Sequence, residues 1–92
     1  LRTSFSEAKY LVAQQLYNAG DYAAAEKEVL NFIDQSTPHA YWLARSFILL
    51  SDVYVALDKK LDARQYLLSL QQNYQADDDI EGMINSRLEK LK

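Results

Sequence analysis

The sequence predicts an all-α fold, and three observations carry that prediction. Composition is the first. Two Gly and one Pro in 92 residues leave long stretches free of helix breakers, while Ala, Leu, Gln, Glu and Lys abound. Periodicity is the second: apolar residues recur at three- and four-residue spacing, and no segment alternates with period two long enough to suggest a strand. Punctuation is the third, because short polar or Gly-containing breaks divide the chain into five helical segments. At this length one hydrophobic core is expected, and so a single domain spanning 1–92.

The first helix is expected to open at Ser4, with Glu7 three residues later completing a capping box that satisfies free amides. Its apolar stripe reads Phe5, Ala8, Val12, Leu16 and Ala19. Gly20 ends it, since Gly accepts the left-handed backbone that closes a helix. Asp21 then caps a second helix whose stripe is Tyr22, Ala25, Val29, Phe32 and Ile33. A polar break from Gln35 to Thr37 follows, with Thr37 as N-cap, Pro38 at the first helical position and His39 exposed in the first turn. The third helix carries the strongest stripe: Leu43, Phe47, Leu50, Tyr54 and Leu57. Asp58 to Lys60 form a tight turn, and the fourth helix shows Ala63, Leu67, Leu70 and Tyr74. The acidic run Asp77 to Asp79 suits the amide end of a fifth helix bearing Ile80, Met83, Ile84, Leu88 and Leu91.

Sliding the chain against itself by 38 residues superimposes two helical hairpins. Val12 falls on Leu50, Ala13 on Ser51, Leu16 on Tyr54 and Gly20 on Asp58. Ala25 falls on Ala63, Val29 on Leu67 and Phe32 on Leu70. Small residues meet small ones and large apolar residues meet large ones. The small positions are expected to let the two helices of each hairpin cross closely, and the large ones to fill the space between hairpins.

In these residues the chain resembles the tetratricopeptide repeat, whose unit is about 34 residues long. Val12-Ala13, Leu16, Gly20-Asp21-Tyr22 and Ala25 follow the family pattern in the first hairpin, and Phe47, Leu50-Ser51, Tyr54 and Ala63 in the second. Lys9, Asp58 and Lys60 depart from it, as do Phe32 and Leu70 at a position usually held by Ala. The resemblance implies two tandem helix-turn-helix units, about 5–35 and 38–74, a C-terminal capping helix at about 78–92, and a right-handed α-solenoid. In its overall look, including the Tyr41-Trp42-Leu43-Ala44-Arg45 and Asp77-Asp78-Asp79-Ile80 stretches, the chain is also similar to the C-terminal ends of long bacterial repeat proteins of the cell envelope. It begins at Leu1 without a basic, apolar leader, so a processed product or excised fragment is expected and the compartment stays open.

Chemistry is sparse. One His and no Cys cannot build a zinc site, and Asp77 to Asp79 lack the alternate spacing and following Glu of a calcium loop, so no metal or cofactor is expected. No phosphate-cradling Gly loop or activated nucleophile can be read, so no catalytic residue is assigned and the chain is not expected to be an enzyme. Ten basic residues scattered among thirteen acidic ones, net charge −3, argue against nucleic acid. No apolar run approaches the roughly 18 residues that span a bilayer. Most of the seven Tyr lie on or beside apolar stripes, while Trp42 fits either a core or a contact position.

The resemblance implies a groove lined by the first helix of each unit, binding a protein or peptide partner. Position by position it points to Tyr10, Gln14 and Tyr17 in the first hairpin and Arg45, Ile48, Asp52 and Val55 in the second. Asp52 is expected to disfavour an anionic ligand. The rival expectation is a structural end-cap of a longer array with no ligand of its own. A monomer or a weak homodimer is expected.

Overall fold

The computed structural model describes residues 5–34 and 40–92. Ser4, Gln35, Thr37, Pro38 and His39, to which caps, a break and a first-turn position were assigned above, lie outside the described residues. Five helices run in order: α1 (Phe5–Asn18), α2 (Tyr22–Asp34), α3 (Ala40–Ala56), α4 (Lys60–Asn73) and α5 (Ile80–Lys90). Among the described residues there is no strand.

Two helix ends 38 residues apart close in the same way. At the end of α1, the Gly20 N–H donates to the Tyr17 carbonyl at 3.0 Å and the Asp21 N–H to the Leu16 carbonyl at 2.9 Å. At the end of α3, the Asp58 N–H donates to the Val55 carbonyl at 3.1 Å and the Lys59 N–H to the Tyr54 carbonyl at 2.7 Å. Both pairs are Schellman closures, which need one left-handed residue, and Gly20 (φ 83°) and Asp58 (φ 62°) supply it. Asp21 caps α2 as expected, its Oδ1 accepting the Ala24 N–H at 3.3 Å. Lys59 stands at the matching position of α4, where no side chain caps the helix.

α1 packs on α2 and α3 on α4, so each tight turn closes a hairpin. α3 also touches α1 and α2, and α5 touches α3 and α4. One part of the core gathers Ala13, Val29, Leu50, Tyr54 and Ala63 between the hairpins. The other joins Ala44, Ile48, Leu67 and Leu70 to Ile80 and Ile84 of α5. The expected stripes of α2, α4 and α5 are the observed packing faces, with Ala25, Val29 and Phe32, then Ala63, Leu67 and Leu70, then Ile80 and Ile84 buried. α3 goes further than its stripe. Ser46, Ile48, Leu49 and Val53 are buried as well, because neighbours cover it on nearly every side.

The stripe expected on α1 is corrected. Phe5 is 67% and Val12 46% exposed, and Ala8 and Ala19 also face outward. The buried face is Ser6, Tyr10 and Ala13, continued by half-buried Tyr17. Two apolar faces compete on this helix, and the one that wins carries rings that pack on α3. Tyr10 lies 5.5 Å from the Trp42 ring, and Trp42 meets Tyr41 edge-on at 5.1 Å. Trp42 is thus a half-buried packing residue.

The start of α5 is built by its acidic run and two tyrosines. The Asp78 Oδ1 accepts the Ile80 N–H at 3.0 Å, and the Tyr74 hydroxyl donates to Asp78 Oδ2 at 2.6 Å. Asp79, the last residue before the helix, makes no capping bond of its own. Its carboxylate instead accepts the Tyr41 hydroxyl at 2.8 Å, which ties α5 to α3.

A cationic groove between α1, α3 and α5

The seven residues expected in a groove separate into three groups. Ile48 is 1% exposed and packs against α5, so it lies in the core and lines no groove; the second hairpin's first helix turns this position inward. Tyr10, Gln14 and Arg45 form a partly buried cluster. The Arg45 Nη2 donates to the Tyr10 hydroxyl at 3.1 Å and Nη1 to the Tyr41 hydroxyl at 2.9 Å. The Gln14 Nε2 also donates to the Tyr10 hydroxyl, at 3.3 Å. The guanidinium stands 5.0 Å from the Tyr10 ring centre and 5.9 Å from those of Tyr41 and Trp42, a cage of rings whose faces attract a cation. Burial disfavours the charged guanidinium, but the hydrogen bonds it donates to the Tyr41 and Tyr10 hydroxyls outweigh that and raise the Arg45 pKa. Arg45 is therefore engaged within the chain, and its contact with Asp79, at 3.9 Å, completes a bridge from α1 through α3 to α5.

Tyr17, Asp52 and Val55 do come together. They line an open cavity of about 400 Å³ between α1, α3 and α5, with Ser51 and Ala56 from α3, Lys60 from α4 and Arg87, Lys90 and Leu91 from α5. Asp52 is not free to repel an anion, contrary to the sequence expectation. Arg87 grips it with two parallel bonds, Nε to Oδ1 at 2.8 Å and Nη2 to Oδ2 at 3.0 Å, and Arg87 Nη1 donates to the Met83 carbonyl at 3.2 Å. This forked geometry is the strong form of an Arg–carboxylate contact. Tyr17, partly buried beside Asp52, has its pKa raised, first by burial and then by that carboxylate.

Sequence reasoning missed the α5 contribution to this cavity. Arg87, Lys90 and Leu91 share one helix face by their spacing, which was a usable signal. Their placement opposite Asp52, 35 residues earlier than Arg87, was not. Lys60 opens α4 and was read as a turn residue. Among the described residues no group of three or more His, Asp or Glu side chains converges as a metal site, and no helix is long and apolar enough to cross a membrane. Comparison with protein-family models, with curated proteins and with solved structures returns no match to this chain.

Proposed function

We propose that this chain is a protein-interaction module of the tandem helical-hairpin, tetratricopeptide-like kind, and that a protein or peptide segment binds between α1, α3 and α5. The observation that carries the reading is the cavity itself. It is open, about 400 Å³, and lined by the first helix of each hairpin and by the closing helix. Its surface mixes one ring, that of Tyr17, with aliphatic groups and charges, the combination that binds peptides through a few anchors and a polar surround. The repeated Schellman closures support a tandem-hairpin origin for this frame. Fold likeness alone would say little of function, because one scaffold serves many uses.

The test is selection of displayed random peptides on the chain, followed by rebinding to Val55→Glu. Val55 is 37% exposed, so this charge enters the groove without disturbing the core. Groove binders should lose at least about tenfold in affinity. Peptides that bind the variant unchanged would place the interaction elsewhere and sink the reading.

A second reading, an end unit of a longer helical array, is favoured by one specific contrast. Val12 is largely exposed, whereas its repeat partner Leu50 is fully buried, covered by the first hairpin. Phe5 is likewise exposed, while its partner Leu43 is half-buried. On this reading another helical hairpin covers the Phe5–Val12 face. Sedimentation equilibrium of the chain and of a Phe5→Ser, Val12→Ser variant checks it. Association that survives both substitutions would rule that face out.

A further inference from the structure

The groove's electrostatics narrow its ligand, an inference that rests on the groove reading above. The chain carries a net charge of −3, yet this cavity gathers three cationic side chains against one carboxylate. Arg87 and Asp52 neutralise each other through their paired hydrogen bonds. Lys60 and Lys90 remain, both exposed and neither in an ion pair among the described residues. They border a surface formed by Tyr17, Val55, Ala56 and Leu91.

We infer that the groove takes an acidic peptide segment in which carboxylate side chains flank an apolar one. The apolar side chain packs on Val55, Ala56 and Leu91, and the carboxylates meet Lys60 and Lys90. Two free lysines suit a few carboxylates. They are too few for a nucleic acid, whose binding draws on many phosphate contacts.

The test titrates the isotope-labelled full chain with three synthetic peptides of one length. Each carries the same leucines, with Glu, Gln or Lys between them, and amide shifts of Ser51, Val55 and Leu91 are followed. The Glu peptide should shift all three amides and bind about tenfold tighter than the Gln peptide, with the gap closing as salt rises. Lys60→Glu, Lys90→Glu, both at exposed positions, should reverse the preference towards the Lys peptide. Equal affinity for all three peptides at these amides would overturn the acidic assignment and leave the groove reading standing. No shift at these amides with any peptide would overturn both.

Discussion

Gly20 and Asp58 occupy the same left-handed corner of two equivalent turns, but at different cost. Gly adopts φ 83° freely, whereas Asp58 at φ 62° carries a Cβ that crowds its own carbonyl. No neighbour lies within 4 Å of a Cβ placed on Gly20, so a substitution there meets only the backbone penalty. Gly20→Ala should lower stability by about 1 kcal/mol, and Asp58→Gly should raise it by about 0.5–1 kcal/mol. Urea denaturation of the two variants checks both signs. Tyr74 gives a second residue-scale prediction. Its hydrogen bond to Asp78, helped by burial, pushes its pKa up to about 12 from an ordinary 10.0. Folding therefore favours the protonated phenol. The contribution is fully present below pH 10 and is lost as pH rises through about 12. Tyr74→Phe should flatten the fall of the thermal midpoint across that window, leaving the part due to Tyr17, Tyr41 and Tyr54, whose pKa values burial also raises.

At the scale of elements, α5 is the piece whose attachment is most specific. Ile80 and Ile84 are buried against α3 and α4, the Tyr41–Asp79 bond fixes the helix start, and the Arg87–Asp52 fork fixes its other half. Burying each isoleucine contributes about 1.5–3 kcal/mol, so apolar packing holds the helix and the fork sets its rotation. Ile84→Ala should cost about 2–4 kcal/mol by leaving a cavity. Arg87→Met should cost about 1–2 kcal/mol, since it strands a half-buried carboxylate. Hydrogen exchange should show these losses concentrated in the α5 amides. Faster exchange spread evenly over all five helices would contradict the separate docking of α5.

For the whole molecule, the informative fact is that two equivalent positions have unequal surroundings. Val12 and Leu50 match in the repeat, yet the first is 46% exposed and the second is fully buried. Val12→Ala should therefore change stability by less than about 0.5 kcal/mol, while Leu50→Ala should cost about 2–5 kcal/mol. Thermal denaturation of both variants checks the contrast, and equal losses would mean that the Val12 face is covered in solution. The same architecture explains why α3 is buried nearly all round. It alone touches every other helix, so the interactions of both hairpins and of α5 converge on it.

By itself the sequence determined the helical class, the five segments and the two turns, 38 residues apart, that close the hairpins. These follow from local chemistry: Gly or Asp at a left-handed corner, Asp21 at a helix start, and periodic apolar residues on α2, α4 and α5. Of the candidate site residues, which the family resemblance and not local chemistry pointed to, Tyr17, Asp52 and Val55 meet in the cavity. Only the tertiary structure decided how each helix is rotated about its axis. α1 offers Phe5 and Val12 on one side and Tyr10, Ala13 and Tyr17 on another, and periodicity accepts either. Packing against Trp42 and bonding to Arg45 chose the second. That choice, with the Arg87–Asp52 fork, brings together side chains 35 residues apart, while packing of α4 and α5 buries Ile48. Spacing along one helix reports which residues share a face; which face meets a neighbour depends on atoms far away in the chain.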